Sequence, residues 1–235
     1  MTQGDKLRNR KEQHVSKNKE SKIQDTTIKM VVAWVITELR LKYPYLEFGL
    51  DKQKMLRTIE KIVNNGDHTT SDKSYILPDG GFLWVKINGK KCFILVSEQK
   101  RQGTNDKRLL EGKNKQSQGN AAERLGKNVD ALDTLFGDED IYPFIVFLQG
   151  CDFFDKESSI GDRIRTIAKF QQINVLNIYW RQLQKHNFVG GSYFMRGHSM
   201  NEEPCTSDWT FEEMSAPMFT IAETALNYYV EKYGK

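Results

Sequence analysis

Phe82-Leu-Trp-Val-Lys-Ile-Asn-Gly-Lys-Lys-Cys-Phe-Ile-Leu-Val96 is the stretch that decides the fold. Its centre, Asn88-Gly89, is the dipeptide favoured in two-residue hairpin turns, because both central positions of a type I′ turn need positive φ. Phe82 to Ile87 therefore reads as one strand and Lys91 to Val96 as its returning partner. Cys92-Phe-Ile-Leu-Val96 is apolar on both faces. A strand that alternation does not divide into wet and dry sides belongs in the middle of a sheet covered from above and below.

Outward from the turn, the hairpin brings chemistry together. Ile87 faces Lys90, and an undisturbed register then sets Asp79 directly opposite Glu98, on one face, with Cβ atoms about 4.5–5.5 Å apart. Lys100, two residues beyond Glu98, shares that face. Opposed carboxylates repel unless a cation lies between them. A hard divalent ion with oxygen ligands and retained waters, Mg²⁺, suits the pair, and Lys100 adds a positive group able to hold a water or offset phosphate charge. Such a site is built for phosphodiester hydrolysis. The same residues at strand ends also make ordinary solvated salt bridges, and Gly80-Gly81 can introduce a bulge that shifts the register. The hairpin alone leaves both readings open.

On the N-terminal side, Ile28, Val31, Val32, Val35 and Leu39 recur at helical spacing, predicting a helix that stops near Pro44. Asp51 is placed to cap a second helix carrying Met55, Ile59, Ile62 and Val63, ended by Gly66. On the C-terminal side, residues 101–118 are polar and too long for a simple connector. A helix with Leu125, Val129, Leu132 and Phe136 as its buried stripe follows, then a buried strand from Ile141 to Leu148. Residues 160–185 mix helix and strand signals; a last helix is expected from Trp209 to Tyr229, with Tyr228-Tyr229 as packing residues. The pattern is α/β: a central mixed sheet, five-stranded in type, flanked by helices on both faces. Residues 1–24 read as a flexible basic arm, and 25–235 as a single folded domain.

Composition narrows the function classes. The chain has 235 residues, enough for a real core, and its net charge of +4 permits a polyanionic partner without requiring one. Cys92, Cys151 and Cys205 form no C-x-x-C pair, which suggests reduced thiols in a cytoplasmic protein. No apolar run reaches the length of a membrane span. His14, His68, His186 and His198 show no ligand spacing, and no nucleotide-binding loop or nucleophile elbow is present.

Gly119-Asn120-Ala121-Ala122-Glu123-Arg124 opens the helix of the Leu125 stripe. Asn120 with Glu123 three residues on fits a capping arrangement. Spacing alone favours this capping role. Lys107, Arg108, Lys113 and Lys115 form a basic stretch suited to phosphates.

Pro78-Asp79-Gly80-Gly81, Ser97-Glu98-Gln99-Lys100-Arg101-Gln102-Gly103 and Gly119-Asn120-Ala121-Ala122-Glu123-Arg124, in that order, closely resemble the EcoRI family of type II restriction endonucleases, of the PD-(D/E)XK superfamily, and more distantly MunI. Further likeness lies in Tyr43-Pro44-Tyr45-Leu46-Glu47-Phe48, in Phe147-Leu148-Gln149-Gly150 and at Asp162-Arg163. The resemblance implies that Asp79 and Glu98 are metal-binding carboxylates, that the Gln99 carbonyl is a further ligand, and that Lys100 positions or activates the attacking water. It implies cleavage of double-stranded DNA at a palindrome with an AATT core, leaving 5′-phosphates. Asn120, Ala121, Ala122, Glu123 and Arg124 would read that core, with Gln118, Lys113 and Arg163 as further DNA contacts. A palindrome is read most simply by a homodimer, and a cognate DNA methyltransferase is expected in the host. Gln99 departs from the family's small apolar residue, and the chain is shorter than the family pattern between Cys151 and Arg163. A structure-specific nuclease on the same fold, or a DNA-binding protein that has lost cleavage, are the competing readings.

Overall fold

A computed structural model of the chain describes residues 26–62, 68–101, 141–149, 192–196 and 209–234, with single positions at 112, 124, 125, 128, 131, 132, 135, 136 and 139. The expected basic arm, the basic stretch from Lys107 to Lys115 and the ambiguous segment 160–185 lie outside these residues.

Seven strands are described: β1 (Glu47–Asp51), β2 (Lys54–Ile62), β3 (His68–Ile76), β4 (Phe82–Ile87), β5 (Lys90–Arg101), β6 (Phe144–Gln149) and β7 (Ser192–Arg196). The main sheet has five strands in the order β1-β4-β5-β6-β7, and β2 pairs with β3 alone. The pairs β1–β4 and β4–β5 are antiparallel, whereas β5–β6 and β6–β7 are parallel, so the sheet is mixed. β5 takes the central place that its doubly apolar sequence requires. Asn88 and Gly89 both have positive φ, 47° and 81°, as the type I′ turn demands.

Helices cover both faces. α1 (26–42) ends before Pro44, as its apolar spacing predicts. With α3 (Phe211–Tyr233) it contributes Ile28, Val31, Val32, Val35, Leu39, Met218, Ile221 and Tyr229 to one core, against Leu83, Val85, Ile94, Ile145 and Phe147 of the sheet. Trp34 of α1 sits edge-on to Phe211, at 5.8 Å between ring centroids. α3 starts on a capping box in which Thr210 and Glu213 satisfy each other's backbone N–H groups. Helical residues 124, 125, 128, 131, 132 and 135 belong to α2. Leu125, Leu132 and Phe136 cover the opposite face, against Phe82, Val96, Phe144, Val146 and Leu148. In β6, Ile145 and Phe147 enter the first core and Phe144, Val146 and Leu148 the second, the strict alternation of a strand buried on both sides.

Two expectations fail. The segment that reads as a second helix, with Met55, Ile59 and Ile62 at helical spacing, is strand β2, paired with β3 through Met55↔Tyr75 and Ile59↔Asp72. Helical spacing is a property of one segment; the pairing that overrides it comes from a partner strand that no local window contains. Asp51, expected as that helix's cap, instead accepts hydrogen bonds from Trp84 Nε1 at 2.9 Å and from Lys91 Nζ at 2.6 Å. β1 and β7, the two edge strands of the main sheet, carry no sequence signal that singles them out.

The second failure concerns register. Ile87↔Lys90 through Trp84↔Phe93 follow the expected pairing, but Leu83 faces Leu95, so Ile94 is an extra residue in β5. Ile94 and Leu95 both pack into the α1–α3 core, which alternation forbids in a regular strand and a β-bulge permits. The irregularity lies at Ile94, not at the Gly80-Gly81 pair where the sequence suggests one.

Candidate active site

Beyond the bulge, Val96, Glu98 and Lys100 occupy alternate positions of β5, on the face that α2 covers. The neighbouring parallel strand places Val146 beside Glu98 and Leu148 beside Lys100. Asp79 does not stand opposite Glu98 in a ladder. β4 begins only at Phe82, and Asp79 lies in a turn closed by the Gly81 N–H donating to Pro78 O at 3.0 Å. Gly81 adopts a φ of 77°, open to glycine at no cost, and a Cβ on Gly80 would run into Ser97 Oγ. These two glycines let the turn lie flat against β5, where the Gly80 N–H donates to Ser97 O at 3.0 Å.

The turn and the strand clasp each other through their carboxylates. The Asp79 N–H donates to Glu98 Oε2, and the Gln99 N–H donates to Asp79 Oδ2, each at 3.0 Å. Asn128 of α2 donates from Nδ2 to Glu98 Oε1 at 2.8 Å. The Lys100 ammonium pairs with Glu98 Oε1, lies 3.9 Å from Asp79 Oδ2, and donates to the Gln99 carbonyl at 3.4 Å. Glu98 is 2% exposed. A buried carboxylate left unpaired would cost several kcal/mol, and the three donors around Glu98 offset that cost.

These contacts bear on whether a metal fits. A single cationic group reaches an oxygen of Asp79, an oxygen of Glu98 and the carbonyl oxygen of Gln99. The ammonium thus marks a position where three hard oxygen donors converge on positive charge. Two carboxylates and a carbonyl suit a hard cation that completes its shell with water. Among the described residues no group of three or more His, Cys, Asp or Glu side chains is gathered to hold a metal ion, so the donor set here is two carboxylates and a backbone carbonyl.

Asp79, Glu98, Gln99 and Lys100 are therefore brought together. The Gln99 side chain is buried, its amide without a hydrogen-bond partner among the described residues, and strand alternation directs it away from Glu98. Arg124 is helical and exposed at the described start of α2. Gln118, Asn120, Ala121, Ala122, Glu123, Lys113 and Arg163 lie outside the described residues. Asn128 was missed by reading the sequence. Its signal was present: it sits three residues after Leu125 and four before Leu132, a polar side chain on the buried stripe.

A five-stranded mixed sheet enclosed by helices, with Asp, Glu and Lys gathered at a central hairpin, defines the restriction-endonuclease-like class of folds. The family model for restriction endonuclease EcoRI matches residues 12–235, and the chain belongs to that family. It is similar to the type II restriction enzyme RsrI of Cereibacter sphaeroides, 29% identical over 86% of this chain and 83% of that one. It is also similar to the type II restriction enzyme EcoRI of Escherichia coli, 30% identical over 60% of this chain and 56% of the relative. The chain is accordingly a site-specific endonuclease of the type II restriction class.

Proposed function

We propose that the protein is a homodimeric, Mg²⁺-dependent restriction endonuclease that hydrolyses double-stranded DNA at a short palindrome with an AATT core. The convergence of Asp79, Glu98, Lys100 and the Gln99 carbonyl carries this reading. Asp79, Glu98 and the Gln99 carbonyl would hold the ion. When bound, Mg²⁺ supplies charge neutralisation on the scissile phosphate and a lowered pKa for the attacking water.

The chain's own groups do the rest. Glu98 and Asp79 arrive oriented by backbone N–H groups, so little reorganisation is needed on binding. Lys100, which holds both carboxylates while the ion is absent, would give up those oxygens to the ion and would turn to orient the water in line with the phosphorus. The water gives up a proton to solvent as its oxygen bonds to phosphorus, the bond from phosphorus to the 3′-oxygen breaks, and that oxygen takes up a proton from solvent. The products carry a 5′-phosphate and a 3′-hydroxyl. Asn120, Ala121, Ala122, Glu123 and Arg124 would read the core, with Gln118, Lys113 and Arg163 on flanking bases or phosphates. A two-fold dimer places one such site on each strand, and a methyltransferase of matching specificity would protect host DNA.

The test is cleavage of plasmid DNA with Mg²⁺, followed by sequencing of the cut ends. Discrete fragments with AATT at the cut support the reading; cutting confined to branched DNA, or binding without cutting, overturns it. Glu98→Gln should lower cleavage by about a thousandfold or more, equivalent to ~4 kcal/mol, while cognate binding persists. Equal loss of binding and cleavage would contradict the role given to Glu98.

A further inference from the structure

Glu98 is held by the Asp79 N–H, the Lys100 ammonium and the Asn128 amide. The first two belong to the hairpin region that carries Glu98 itself. Asn128 comes from elsewhere: it lies on α2, four residues beyond Arg124, and is half-buried. Asparagine is a poor helix former away from a cap, and on an apolar stripe it also forfeits hydrophobic burial. Both costs call for a compensating contact, and the 2.8 Å bond from Nδ2 to Glu98 Oε1 supplies one. An ionised carboxylate only accepts, so the amide must present its NH₂ group to it. With Oε2 taken by the Asp79 N–H, this bond fixes the carboxylate plane. The oxygen it holds is the one that the Lys100 ammonium also reaches.

We infer that Asn128 is a positioning residue for the reaction: it orients Glu98 toward the metal and ties the placement of α2 to the geometry of the catalytic carboxylate. The inference rests on the nuclease reading above. Asn128 acts through Glu98. The helix whose first turn would contact bases thus holds, one turn later, a ligand of the ion.

The test uses the full-length enzyme and the site mapped for the wild type. Asn128→Leu is close to isosteric, favours the helix and removes the donor; Asn128→Gln keeps an amide. Four quantities are read: thermal melting, cognate-duplex binding in EDTA, Mn²⁺ affinity by calorimetry, and cleavage across a Mg²⁺ titration. Asn128→Leu should melt within about 4 °C of wild type, the lost donor to buried Glu98 being partly offset by better helix propensity and apolar burial, and should bind the duplex within about twofold. Its Mn²⁺ affinity should fall on the order of tenfold, the usual weight of a hydrogen bond to a charged group, with cleavage at limiting Mg²⁺ falling likewise. Asn128→Gln should lie between the two. Wild-type metal affinity and cleavage in Asn128→Leu overturn the inference, as does loss of metal-free binding in step with cleavage. A wild type that cuts no DNA overturns the nuclease reading and this inference together; a wild type and an Asn128→Leu that cut equally overturn the inference alone.

Discussion

Gly80 offers a stability test that stands apart from any assumption about substrate. Its backbone lies so close to β5 that an added Cβ would collide with Ser97 Oγ and come within 3.1 Å of Val32 Cγ2 and 3.2 Å of Ser97 Cβ. Its φ is not positive, in contrast to Gly81, so an alanine there meets only the steric obstacle. Overpacking of this kind costs roughly 1–3 kcal/mol. Ser97 Oγ is buried with no hydrogen-bond partner among the described residues, so Ser97→Ala removes the obstacle and a desolvated hydroxyl together. That single change should be close to neutral. In the double variant only the contacts just above 3 Å remain, which small shifts relieve. The double-mutant cycle should therefore show a favourable coupling of about 1–2 kcal/mol. At this chain length each kcal/mol corresponds to about 2–4 °C in Tm. Urea denaturation and thermal melting of wild type, both single variants and the double variant give the cycle. Because the Gly80 N–H is bonded beside Asp79, cleavage should fall in Gly80→Ala and recover in the double variant. A Gly80→Ala penalty that Ser97→Ala leaves untouched would refute the packing argument.

Two further outcomes can be checked. Burial alone would raise the Asp51 carboxyl, but hydrogen bonds from Lys54, Lys91 and Trp84 outweigh it and hold the group below its ordinary range. A carboxyl depressed in the fold stabilises it above the unfolded-state pKa and loses that effect as pH falls through the folded value. Asp51→Asn should thus cost about 1 kcal/mol near neutrality, and the deficit should shrink below about pH 4. Urea midpoints from pH 7 to 3 measure it; a deficit that stays constant would count against the assignment. Burial pushes the Cys92 thiol up to about 11. Iodoacetamide at pH 8 should leave Cys92 unmodified in the native protein and alkylate it promptly in urea, as read by peptide mass mapping. Labelling at equal rates in both states would show that the β5 core is open.

Much of this molecule is local, and local structure is written in the sequence. Asn88-Gly89 specifies a turn because few residues tolerate positive φ twice in succession. The double-sided apolarity of β5, the α1 stripe and the Thr210-to-Glu213 box each express a preference that needs no distant partner. The order of the Asp79, Glu98 and Lys100 motifs was legible for the same reason. Tertiary structure decided what depends on contacts between distant segments. β2 became a strand because β3 pairs with it, overruling its helical spacing. The bulge at Ile94 arose where consecutive apolar residues both enter the α1–α3 core, so counting back from the turn misplaced the partner of Asp79. The contact of Asn128 with Glu98 spans elements that only packing brings together. A hairpin's register is an arithmetic consequence of its turn only while every residue alternates, and the core, not the turn, determines where alternation breaks.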